Sequence, residues 1–174
     1  CAGAGGGACC LSPARLEGET IMTPDAIFLI ATYGLVPFWL LLVVLPRWSG
    51  TQFLVHSALL PLIFGCLYTY YLAVASFGGG QPEGASFGTL AGVMIFFQMP
   101  EAALAGWLHY LLFDLFIGAW EARDAQRRGM SHWLVIPCLV FTWLAGPLGL
   151  LLYIVLRAVS GKGGWRLQPA DAPA

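Results

Sequence analysis

The sequence contains no asparagine and only one lysine, Lys162, against seven arginines. Charged side chains make up 10% of its 174 residues, where a soluble domain carries about 25%. A net charge of −1 offers no basic field for nucleic acid, which excludes that class of partner. Cysteine is present at positions 1, 9, 10, 66 and 138, but nowhere with C-x-x-C spacing, so no metal or redox motif is written there. No H-E-x-x-H or comparable ligand spacing occurs either. Alternating ten-residue strands are also missing, which argues against a membrane β-barrel.

Apolar residues fill the space that charge leaves. They make up 59% of the chain, and the mean hydropathy is +0.77. An all-α, multi-pass integral membrane protein is the class this implies. The preference for Arg over Lys, with abundant Gly, Ala and Pro, fits a GC-rich gene and a bacterial inner membrane.

Residues 1–21 stand apart. They are low in complexity, lack an apolar signal core and read as a disordered leader. Cys1 would suit a lipid-modified start, but translated upstream sequence or a fragment boundary is the simpler reading. Residues 22–158 form the membrane domain. A bilayer core needs about 20 apolar residues to be crossed by a helix. Residues 24–46 and 52–77 meet this, with Pro37 and Pro61 as expected kinks. Residues 78–84 are a Gly/Pro loop, and 86–98 suit a short interfacial or re-entrant helix. Residues 100–120 form a third span, 121–131 a polar loop, and 132–157 a fourth span. The polar tail, 159–174, reads as disordered.

A four-transmembrane-helix bundle follows, with both termini on one side of the membrane. Arg157, Lys162 and Arg166 would then face one compartment, and Arg47, Arg123, Arg127 and Arg128 the other. That near-balance leaves the positive-inside rule with little to decide, and the 121–131 loop is placed on the cytoplasmic side. Spans one and two do not repeat spans three and four, which disfavours a transporter.

Ionisable residues inside such spans are candidate functional sites. Asp114 lies two-thirds along the third span. An Asp at a helix centre costs roughly 2.5–3.5 kcal/mol to insert, so it should face a partner or a wet cavity. Trp107, Asp114 and Glu121 recur every seven residues and share one helix face, with Gly118 leaving room for a neighbouring helix. His109 points about 140° away from Asp114 on an ideal helix, yet both can border one cavity if the helix is central. Asp124, Arg127 and Arg128 read as a solvated loop. His132 opens the fourth span near Glu121 and Asp124, which makes these three a candidate metal set. Gly146-Pro147 interrupts the fourth span, and the carbonyls this frees need a hydroxyl, water or the Asp114 carboxyl as partner.

The segments 105–125 and 132–153 resemble the abscisic-acid-deficient-four-like family of small membrane proteins. The matching pattern is His109, then Asp114-Leu115-Phe116, Asp124, His132 and Gly146-Pro147-Leu148-Gly149 in order. The family's plant member is linked to neoxanthin formation, in which an epoxy-carotenoid becomes an allenic one. The resemblance implies a cofactor-independent isomerase acting on a carotenoid or other isoprenoid lipid. Asp114, His109 and His132 would be its acid/base residues, and Trp107, Tyr110, Gly146 and Pro147 would line its substrate site. No cofactor is expected. The alternatives are a module that binds pigment or lipid, or stabilises a membrane complex, and a metal protein using His109, His132 and Asp124. A homo-oligomer also stays open.

Overall fold

The computed structural model describes residues 23–163 and residue 167. The expectations for residues 1–21, and for most of the tail, lie outside the described residues. Those described form helices and connecting turns only: α1 (Pro24–Gly34), α2 (Val36–Val44), α3 (Ser49–Leu54), α4 (Leu59–Phe77), α5 (Leu90–Phe96), α6 (Pro100–Arg127), α7 (His132–Ala145) and α8 (Pro147–Val159). Three segments are long and apolar enough to cross a bilayer: Pro24–Val44, Ser49–Phe77 and Pro100–Arg127.

Proline sets several of the boundaries. Thr23 caps α1 by accepting from the Ala26 N–H, and Pro24 occupies its first turn. Pro37 has no N–H to continue the ladder, so the first span breaks at Leu35 and resumes as α2. The second span breaks more sharply. Residues 55–58 are non-helical, and Pro61 lies in the first turn of α4. The short helix foreseen at 86–98 shrinks to the seven residues of α5, capped by Thr89.

Helix α6 is the axis of the bundle. It buries Leu104, Leu108, Leu111 and Leu115, together with a run of small residues, Ala105, Gly118, Ala119, Ala122 and Ala125. Lipid tails are as apolar as leucine, so helices associate here through close packing rather than by escaping water, and small residues permit it. Trp39 of α2 lies directly on Gly118, where an added Cβ would stand 2.7 Å from its ring. Helix α1 runs parallel to α6, with Thr32 accepting from Trp107 Nε1 at 2.8 Å. Helix α4 runs antiparallel: Tyr68 meets His109, while Leu60 and Pro61 share a recess with Ala119 and Arg123.

Two expectations are corrected. The third span does not end at Trp120 but continues to Arg127, so Glu121 and Asp124 are helical and buried rather than part of a solvated loop. Nor does 132–157 cross as a fourth span. Helices α7 and α8, of 14 and 13 residues, are each only about 20 Å long, and they fold back on one another. Gly149 packs directly against Thr142, whereas a continuous helix would hold those positions about 10 Å apart. The turn is Gly146, at φ +36°, a conformation that glycine tolerates best.

The hairpin reverses the expected arrangement of the ends. Thr23 and Pro100 lie at one end of the bundle, where Pro24 and Asp25 border the same recess as Pro100 and Trp107. Lys162 lies at the other, its carbonyl accepting from Arg128 at 3.3 Å. Arg47, Arg123, Arg127, Arg128, Arg157 and Lys162 therefore gather towards one end, while Asp25, Glu83 and Glu101 lie towards the other.

Candidate functional site

The tip of the hairpin meets the middle of α6 at Asp114. The Asp114 side chain is 5% exposed, and its Oδ1 lies against Gly146. Its other oxygen, Oδ2, is buried with no hydrogen-bond partner among the described residues. Helix α7 ends at Ala145 and α8 starts at Pro147, so the negative end of one dipole and the positive end of the other meet at this turn and largely offset. One turn earlier on α6, the Tyr110 hydroxyl lies within reach of the same carboxylate. It also approaches the Trp143 carbonyl at 3.5 Å, the outer edge of hydrogen-bonding distance. That carbonyl is the one Pro147 would have bonded four residues on had it carried an N–H. The freed carbonyl foreseen from the sequence thus meets a hydroxyl.

Aromatic rings extend from this point. Trp107 stacks on Tyr110 with centroids 5.2 Å apart, and packs on Phe28 at 5.4 Å. Trp143 stacks on Trp39 at 5.9 Å. Of the proposed substrate-binding residues, Trp107, Tyr110 and Gly146 stand along one face of the site. Pro147 lies beside them and is exposed at the hairpin tip.

Beyond Asp114, two further acids of α6 face the hairpin. Glu121 is fully buried, and both its oxygens lie 3.0 Å from the Thr142 hydroxyl, which has one proton to donate. Asp124, 1% exposed, is a hub. Its Oδ2 accepts from Tyr153 Oη at 2.7 Å, Arg128 Nε at 2.7 Å and Arg157 at 3.0 Å. Arg157 is itself only 1% exposed, so this cation, well inside the protein, depends on that carboxylate. Tyr153, Arg157 and Thr142 were not singled out in the sequence. The signal available was the four-residue spacing of Tyr153 and Arg157, which places both on one face of α8.

The two histidines lie elsewhere. His109 is exposed on the α4 side of α6, between Tyr68 at 5.8 Å and Phe113 at 4.5 Å, and does not join Asp114. His132 lies at the far end of α7, its Nε2 2.7 Å from the Val43 carbonyl. One helix of 14 residues separates it from the hairpin tip. The metal set is not assembled either. Glu121 is held by Thr142, Asp124 by cations and a phenol, and His132 by backbone. Among the described residues no group of three His, Cys, Asp or Glu side chains is placed to hold a metal ion.

The order and spacing of these residues agree with the comparison to known families. The ABA DEFICIENT 4-like profile matches residues 26–153, which takes in α1 through most of α8. The chain belongs to the ABA DEFICIENT 4-like family. Among curated proteins it is similar to Protein ABA DEFICIENT 4, chloroplastic, of Arabidopsis thaliana, with 26% identity over 153 residues. That alignment covers 80% of this chain and 64% of the relative, so the chain spans just under two thirds of the relative's length. The relative is a chloroplast protein, and lends nothing to the bacterial placement inferred from composition. No solved structure matches.

Proposed function

We propose that this ABA DEFICIENT 4-like protein isomerises an epoxidised carotenoid or related isoprenoid within the membrane, with Asp114 as the acid/base group. The observation that carries the reading is the Asp114 carboxylate, buried at mid-helix with one oxygen unpartnered beside a hairpin tip of glycine and proline. Asp124 also leaves one oxygen, Oδ1, unpartnered, but its Oδ2 is held by two arginines and a phenol, whereas Asp114 has no cation beside it among the described residues. An acid without a cation, one oxygen unanswered beneath a turn of glycine and proline, supports a role towards a ligand.

The chemistry balances with this single group. The carboxyl proton passes to the epoxide oxygen, and the adjacent carbon–oxygen bond breaks with its electron pair on oxygen. The resulting carboxylate then removes a proton from carbon, forming the new double bond and restoring the acid. Nothing is oxidised or reduced, so no redox partner enters. Neither His109 nor His132 is needed in this scheme, in keeping with their positions. Tyr110 orients the carboxyl, and Trp107 and Trp143 offer flat apolar faces to a conjugated chain.

The test is expression in a host that accumulates epoxy-carotenoids, followed by pigment analysis. The wild-type chain should yield an allenic product. Asp114→Asn should yield none, while purifying with the same elution profile. Normal conversion by Asp114→Asn rules the reading out. Unchanged pigment that copurifies with the wild type in stoichiometric amount makes the protein a carrier instead.

A further inference from the structure

We propose a second site, on the opposite side of α6 from Asp114, that binds the phosphate headgroup of an anionic lipid. It lies between α4 and α6, at the end of the bundle where the arginines gather. A small recess of about 40 Å³ opens there, lined by His56, Ser57, Leu60, Phe116 and Arg123 among others. Both ring nitrogens of His56 and the Nε of Arg123 are buried without a hydrogen-bond partner among the described residues. Native folds leave few buried polar groups unanswered, and three facing one recess mark a place that something else completes.

The charge of the missing group follows from its surroundings. Arg123 makes no ion pair among the described residues. The acids nearest it in sequence are engaged on the hairpin side, Glu121 by Thr142 and Asp124 by Arg128, Arg157 and Tyr153. Leu60 and Pro61, in the first turn of α4, border the recess; the N-cap residue Ala58 supplies no capping side chain, and the Ser57 hydroxyl answers only the Leu59 N–H, at 3.2 Å. The positive end of a 19-residue helix therefore adds to the positive guanidinium. An anion is the fitting occupant, and a guanidinium matches phosphate geometry best.

Its tail follows from shape. The recess continues into a second, larger groove of about 210 Å³, lined by Pro61, Leu112, Phe113 and Phe116. Pro61, Leu112 and Phe116 border both spaces. A polar head beside His56 and Arg123 with an acyl chain along Phe113 and Phe116 uses the two as one amphipathic site. A free inorganic anion would leave the groove unused.

The experiment uses the full chain in nanodiscs of phosphatidylcholine, with phosphatidylglycerol added in a titration and bound lipid counted by native mass spectrometry. Wild type should retain phosphatidylglycerol in preference to phosphatidylcholine. Arg123→Gln combined with His56→Gln should weaken that retention about tenfold, the loss expected for a charge-assisted contact. Arg127→Gln, one turn further along and exposed, should change it little, and Asp114→Asn should not change it at all. The unfolding temperature in pure phosphatidylcholine should match wild type, showing that the double variant folds. Equal retention of the two lipids by the wild type overturns the proposal. So does an Arg127→Gln loss as large as that of the double variant, which would mean a diffuse basic surface. Inorganic phosphate that displaces the lipid at equal concentration overturns the lipid assignment.

Discussion

Gly146 covers the carboxylate of Asp114 so closely that no side chain fits between them. One residue belongs to a hairpin turn and the other to the middle of the longest helix, so the contact fixes where the hairpin tip stops. It also places a backbone position without a Cβ, at φ +36°, over the acid proposed to react.

Substitution at that contact should separate folding from function. Gly146→Ala puts a methyl group against Oδ1 and strains a backbone (φ +36°, ψ −92°) that non-glycine residues avoid, at about 1–3 kcal/mol. The expected result is a protein that still purifies as one species, melts slightly earlier, and has lost most pigment conversion. Chromatography of carotenoids beside a thermal melt gives both readouts.

Tyr110→Phe removes the hydroxyl that stands between Asp114 and the Trp143 carbonyl. Conversion should fall by one to two orders of magnitude, about 1.4 kcal/mol of barrier for each, but should not vanish, because the carboxyl remains. Wild-type turnover in this variant would show that the phenol does not position the acid.

Asp124→Asn removes a carboxylate that two arginines share, one of them fully inside the protein. Breaking such a pair from one side costs about 3–5 kcal/mol. The melting temperature in detergent should drop steeply, whereas Arg127→Gln on the exposed surface should shift stability within about 0.5 kcal/mol. The contrast identifies Asp124 as the clasp of the hairpin.

Three crossings and a returning hairpin give a different topology from four crossings. Single cysteines introduced as Lys162→Cys and Arg127→Cys should react with an impermeant thiol reagent from the same side, and Glu83→Cys from the other. A fourth crossing would pair position 162 with position 83. By the positive-inside rule, the side on which positions 127 and 162 react is expected to be the cytoplasmic one or its organellar counterpart, which the same labelling checks.

The seven-residue stripe of Trp107, Asp114 and Glu121 was legible before any coordinates, because 3.6 residues per turn place them on one face wherever the helix lies. So was the role of Gly118, which now carries the Trp39 ring. Pro147 announced a freed carbonyl, and Tyr110 approaches it. Asp124 was misread, since the polar string after Trp120 looks like a loop until Tyr153 and Arg157 arrive to neutralise it. His109 matches the family pattern in order, but order along a chain carries no information about which neighbour a side chain will meet.

The sequence by itself determined that this is a helical membrane protein, roughly where three of its spans lie, and which acid would be costly enough to matter. Those follow from hydropathy, proline and helical period, all of them local. Only the tertiary structure decided that residues 132–159 turn back rather than cross. A Gly-Pro break in an apolar run permits either course. The choice falls to Arg157, a buried cation whose counter-charge, Asp124, lies at the end of the bundle from which the hairpin set out.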